Sequence, residues 1–165
     1  MEAASGETFE SLNPSTGEPW AVIPAAGEAD VDRAVAAAAR AFAEPAWASM
    51  TQTVRGKLLF RLADLLVENA QELGELETID TGKLLKETLG QATYVAEYYR
   101  YYGGLADKIH GHTLPVDKAD MHVYTERVPI GVVAAVVPWN SQMFLTATKL
   151  APALAAGNTV VVKAS

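Results

Sequence analysis

The sequence predicts an α/β chain in which N-terminal helices and short strands pack on the first β-α-β unit of an incomplete parallel sheet. Three observations predict it. Residues 31 to 106 place apolar side chains at helical spacing. Val132 to Val137 is an unbroken apolar run, and a second strand, Thr159 to Lys163 around Val160-Val161-Val162, follows after a segment of helix length. Strands without alternation are expected where helices cover both faces of a parallel sheet, and Val132 to Lys163 has roughly the 30-residue span of a β-α-β unit.

The elements follow in order. Asn13-Pro14-Ser15-Thr16-Gly17 lies between Phe9 and the run Trp20-Ala21-Val22-Ile23, so the chain opens as two extended pieces joined by a turn whose dihedrals Pro and Gly preset. A first helix is expected from Asp30 as its cap, with Val31, Val35, Ala38 and Phe42 on one face and Pro45 at its end. A second follows Thr53 with the stripe Val54, Leu58, Leu62, Leu65 and Leu66. A shorter helix carries Leu73, Leu76 and Ile79 and breaks at Asp80-Thr81-Gly82. A fourth runs from about Glu87 to Ala106 through Leu89, Ala92, Ala96 and Tyr99, and Gly103-Gly104 loosens its end. Met121 to Arg127 alternates as a strand, and Pro129 and Gly131 reset the chain before Val132. Ser141 to Ala156 is the crossover helix, closed by Gly157 and Asn158.

Composition narrows the function. With 20 acidic and 13 basic side chains the net charge is −7, which disfavours the phosphate neutralisation needed for nucleic acid. The acidic start and the short apolar runs offer neither a secretory signal nor the ~20 apolar residues of a membrane helix, so a cytoplasmic protein with no membrane partner is expected. Cysteine is absent from the 165 residues, which removes disulfides, thiolate metal sites and any cysteine nucleophile among them.

Ligands of open parallel sheets bind beyond the carboxyl ends of the strands, which points to Pro138-Trp139-Asn140 and Lys163-Ala164-Ser165. The glycine-rich dinucleotide fingerprint is missing there. Asn140 offers a neutral amide donor suited to stabilising an oxyanion; alternatively Asn140 or Ser141 caps the crossover helix. Lys163, 23 residues after Asn140, either contacts the ribose of a nucleotide or is a solvated strand-end lysine. Lys149, in an apolar helix one turn before Pro152, either snorkels to water or sits near a carboxylate. The tyrosines Tyr94, Tyr98, Tyr99, Tyr101 and Tyr102 crowd one helix, either as an aromatic substrate box or, the expected reading, as packing and subunit-contact residues. His110-Gly111-His112 lacks a third ligand, and Thr81-Gly82-Lys83 is a helix terminus rather than a phosphate loop.

Taken together, PWN after a strand, KLAPALAAGNTVVVK after it, and NPSTGE, DVDRAV, RGKLLFRLADLL, DTGK and YYGGLADKIHG upstream, in that order, resemble the N-terminal third of an NAD(P)-dependent aldehyde dehydrogenase with a Rossmann-like sheet. The resemblance covers the whole chain. It implies that Asn140 helps form the oxyanion hole and also lies among the cofactor-binding residues, that Val137, Pro138 and Trp139 line the nicotinamide side of the cleft, that Lys163 binds the adenosine ribose of NAD or NADP, and that Lys149 belongs to a proton relay. It implies a small-molecule aldehyde as substrate and a homo-oligomer, dimer or tetramer, when full length.

By the same resemblance, residues 1–131 form an N-terminal helical and strand segment with 114–127 an oligomerisation region, and 132–165 begin a truncated cofactor-binding sheet. The family's cysteine nucleophile, general-base glutamate and second part of the cofactor site would lie beyond residue 165. Its chemistry is thiolate attack on the aldehyde, hydride transfer and thioester hydrolysis, so these residues alone are expected to be inactive. Ala164 replaces a proline frequent after the lysine, and the missing next position leaves the choice between NAD and NADP open. The rival is a noncatalytic module that keeps half of a cofactor site and works through subunit association.

Overall fold

A computed structural model describes residues 2–165. The chain opens with an antiparallel ribbon, β1 (Thr8–Leu12) and β2 (Pro19–Pro24). Helices α1 (Glu28–Ala43), α2 (Pro45–Ala48), α3 (Gln52–Glu68), α4 (Ala70–Thr81) and α5 (Leu85–Leu105) follow. A short antiparallel ribbon, β3 (Thr113–Leu114) and β4 (Val123–Tyr124), precedes the parallel pair β5 (Val132–Val136) and β6 (Thr159–Lys163), joined by α6 (Gln142–Ala155). The β-α-β unit is therefore present and parallel, in the register Val132↔Thr159 to Val136↔Lys163.

Several local expectations shift by one to three residues, each for a physical reason. Gly27, not Asp30, is the N-cap of α1; Asp30 sits in the first turn and its carboxylate accepts from the N–H groups of Gly27 (3.0 Å) and Ala4 (3.0 Å). The Gly27 bond first, then the Arg33 guanidinium and the Ala4 N–H, hold its pKa below the usual carboxylate value. Helix α3 begins at Gln52 rather than after Thr53, because Thr51 caps it, its hydroxyl accepting from the N–H of Val54. The buried stripe of α3 is Arg55, Gly56, Leu59 and Ala63, while Val54, Leu58 and Leu65 are exposed. On α1, Val31 and Val35 are exposed and the Ala34–Ala38–Phe42 row is the half-buried one. A strand over Met121 to Arg127 shrinks to two residues because only Val123 and Tyr124 find partners in β3.

The core lies between α3, α5 and α6. Leu59 and Ala63, Val95, Ala96 and Tyr99, and Ala147, Ala151 and Ala155 form it, with Met143, Phe144 and Leu154 packed on its rim. Small residues let the helices approach closely: a Cβ on Gly56 would lie 2.5 Å from the Gly103 carbonyl oxygen. Helix α6 continues through Pro152 to Ala155. The expectation that β5 is covered on both faces fails here. Of residues 132 to 137 only Ala135 and Val137 are buried, and Val136 is 64% exposed, because α6 and α1 leave part of this two-stranded sheet open.

Of the five clustered tyrosines, Tyr99 is buried in the core and Tyr94 and Tyr101 are exposed. Burial pushes the Tyr99 hydroxyl up to about 12 from an ordinary value near 10. A raised folded-state pKa means that the stability Tyr99 contributes is complete below pH about 10 and is lost as pH rises toward about 12, on the order of 2–3 kcal/mol. Tyr99→Phe is expected to flatten that alkaline limb in unfolding measured from pH 9 to 12. An unchanged limb would show that Tyr99 ionises freely in the folded state.

Candidate functional site

The parallel pair places the two expected segments at one edge. The Val137 N–H donates to the Lys163 carbonyl at 3.0 Å, which continues the β5–β6 ladder and brings residues 137–140 and 163–165 to the carboxyl end of both strands. Val137 is buried; Pro138, Trp139, Asn140 and Lys163 are exposed, Trp139 at 68%. Neither the Asn140 amide nor the Lys163 ammonium has a hydrogen-bond partner among the described residues.

Asn140 does not cap α6. Ser141 occupies the N-cap position, yet its hydroxyl makes no capping bond; it accepts instead from Lys83 Nζ at 2.6 Å. The first turn of α6 is met from outside by Glu77 of α4, whose Oε2 accepts from the Met143 N–H at 3.4 Å. Glu77 is 6% exposed and its Oε1 has no partner among the described residues. Burial raises its pKa; the Met143 bond and the Lys83 charge act in the opposite direction. A carboxylate at this helix N-terminus meets both the unpaired N–H groups and the positive end of the macrodipole.

Lys149 follows neither of its two expected readings fully. Its Nζ is half-buried and donates to the Leu145 carbonyl at 3.2 Å, one turn back on α6, rather than to a carboxylate. Thr148 Oγ1 donates to that same carbonyl at 3.0 Å. Lys149 is thus on α6, whereas Asn140 precedes that helix and Lys163 ends the strand after it.

The other end of the β-α-β unit is built by residues read in the sequence only as a helix stop. Asn158 Oδ1 accepts from the N–H groups of Ile130 (2.8 Å) and Gly131 (3.1 Å), and its Nδ2 donates to the Ala153 carbonyl (3.1 Å). Trp47 Nε1 donates to the Gly157 carbonyl and buried Arg55 donates to the Ala155 carbonyl, so the C-terminus of α6 is pinned. Burial lowers the Arg55 pKa. The signal for these residues was the polar Asn158 after Gly157, directly before an apolar strand.

The exposed amide and ammonium at the carboxyl edge of parallel strands form a donor set that suits a polyhydroxylated, anionic dinucleotide. Trp139 beside them adds an aromatic surface.

The sequence profile of the "Aldehyde dehydrogenase family" matches residues 1–165. The (Z)-2-((N-methylformamido)methylene)-5-hydroxybutyrolactone dehydrogenase of Acinetobacter baylyi is 59% identical over 95% of this chain and 32% of its own length. An aldehyde dehydrogenase of Aspergillus niger is 44% identical over 99% of this chain and 32% of its own. Among solved structures, PnpE in complex with nicotinamide adenine dinucleotide superposes with a TM-score of 0.95 at 46% identity, over 99% of this chain and 33% of that one. A variant of betaine aldehyde dehydrogenase from Staphylococcus aureus in complex with NAD+ gives a TM-score of 0.96 at 34% identity, over 100% and 33%. The chain spans about a third of the length of the curated relatives it matches.

Proposed function

The chain belongs to the aldehyde dehydrogenase family, and from that premise we propose that it is the N-terminal part of an NAD(P)-dependent enzyme oxidising an aldehyde to a carboxylic acid. The observation that carries this reading is the partner-free Asn140 amide at the edge shared with Lys163. Asn140 donates to the aldehyde oxygen as it gains negative charge, an interaction stronger in the transition state than in the ground state. Lys163 donates to ribose hydroxyls, and Val137, Pro138 and Trp139 line the nicotinamide side. Bound NAD+ or NADP+ supplies the hydride acceptor. Lys149, whose ammonium donates to the Leu145 carbonyl, serves a proton relay in this reading.

In this reading residues 132–165 begin the cofactor-binding sheet and residues 1–131 form the segment that flanks it. Exposed Leu114, Val116, Met121 and Tyr124 on and beside the β3–β4 ribbon support an oligomerisation role for 114–127. The relative acting on a 5-hydroxybutyrolactone, at 59% identity, supports assaying that compound beside simple aldehydes.

The test is NADH or NADPH formation. The full-length protein is expected to reduce NAD+ or NADP+ in the presence of an aldehyde. The 165 residues alone, which hold no cysteine, are expected to give no turnover above background. Turnover by the short chain would overturn the assignment of the nucleophile to other residues. A full-length protein that binds cofactor but oxidises no aldehyde would favour the noncatalytic module.

A further inference from the structure

The three residues that follow Asn140 are each tied to a different residue at the end of α4. The Met143 N–H donates to Glu77 Oε2, Gln142 Nε2 donates to Asp80 Oδ2, and Lys83 Nζ donates to Ser141 Oγ. Residues 77, 80 and 83 thus meet 143, 142 and 141, running in opposite directions. The spacing of three follows from α4 itself: Glu77 and Asp80 share a helix face one turn apart. Gly82, at φ 74°, then ends the helix and returns the chain so that Lys83 reaches the same place.

The grip is braced from behind. Ser11 of β1 donates to Asp80 Oδ1 at 2.8 Å, and Trp20 Nε1 of β2 donates to Ser11 Oγ at 3.2 Å. Lys83 is also held by Gln91 Oε1 of α5 at 3.0 Å. A Cβ on Gly82 would lie 2.8 Å from Pro14 Cγ, so the α4 end is lodged against the β1–β2 turn. By contrast the Pro138-Trp139-Asn140 turn has little local support: Ser141 makes no side-chain cap, and Trp139 and Asn140 are exposed. Contacts 58 to 66 residues away in sequence therefore fix where this turn leads into α6.

We propose that Glu77, Asp80 and Lys83 are positioning residues for the Asn140 amide, acting through Ser141, Gln142 and Met143; this rests on the oxyanion reading of Asn140. An amide donor is effective only where the developing oxyanion will lie, and misplacement by about 1 Å costs about 100-fold in rate. Glu77 accepts from the Met143 N–H of the first turn, Asp80 orients Gln142, and Lys83 holds Ser141, the residue next to Asn140.

A double-mutant cycle in the full-length enzyme tests this, with kcat expressed per cofactor-binding site. Lys83→Met is expected to lower kcat about 10- to 100-fold with cofactor affinity unchanged. In an Asn140→Ala background the same substitution is expected to add nothing, because the group it positions is gone. Lys83→Arg, which retains a donor, is expected to restore most of the rate. If the Lys83→Met protein does not bind cofactor, Gln142→Met enters the same cycle in its place. Losses that multiply in the double variant, or an unchanged kcat in the single one, overturn the positioning role. An unchanged rate in Asn140→Ala alone overturns the oxyanion reading instead.

Discussion

Asn140→Ala in the full-length enzyme is expected to lower kcat/KM for aldehyde by about 10²- to 10³-fold, the cost of removing one oxyanion donor. The expectation follows from where the amide is and what it lacks. It sits in the turn after β5, exposed and with no hydrogen-bond partner among the described residues, so the substitution breaks no internal contact. Stability and cofactor affinity are therefore expected to change little, and the loss should fall on the chemical step. Asn140→Asp separates donation from mere polarity: the ionised side chain accepts hydrogen bonds but cannot donate them, and it adds negative charge where negative charge develops. It is expected to be at least as damaging as alanine. Steady-state rates together with cofactor affinity check both variants, and a loss below about 5-fold in Asn140→Ala would remove the amide from the mechanism.

How far the sequence could lead is clearest at the two ends of α6. The β-α-β unit was legible because two apolar runs and the helix between them are contiguous features, and their parallel pairing follows from the length of the connection. The stripe of α5 was legible because Leu89, Ala92, Ala96 and Tyr99 recur at helical spacing, and Ala92, Ala96 and Tyr99 are buried. On α3 the stripe read from the sequence was mostly not the buried one: leucines occupy several faces, and the buried face is the one on which Gly56 approaches Gly103, a contact between residues 47 apart. The same limit hid Glu77, Asp80 and Lys83. Each is an ordinary charged residue near a helix end, and its role depends on α4 meeting the start of α6. The coverage of β5 was misjudged for a related reason: apolar character shows that a strand is to be buried, but what covers it need not lie among these residues.

Asn158→Ala is expected to destabilise the fold by about 2–4 kcal/mol, because two backbone N–H groups lose their shared acceptor and the Ala153 carbonyl loses a donor. Asn158 is 6% exposed, so water replaces these partners poorly. Asn158→Asp keeps an acceptor for Ile130 and Gly131 but brings a carboxylate against the Ala153 carbonyl in a buried place, and its loss is expected to match or exceed that of alanine. Denaturant unfolding checks both, read as a lower midpoint at unchanged slope. A shift under about 0.5 kcal/mol for Asn158→Ala would mean that the surrounding backbone finds other partners. The consequence also reaches the site. Asn158 joins the end of α6 to the residues just before β5, and the Thr159 N–H donates to the Gly131 carbonyl at 3.1 Å, beside the first rung of the β5–β6 ladder. A slip there moves β5 against β6 and carries Val137 to Asn140 away from Lys163. Asn158→Ala is therefore expected to weaken cofactor binding as well as stability, whereas Asn140→Ala should affect turnover alone.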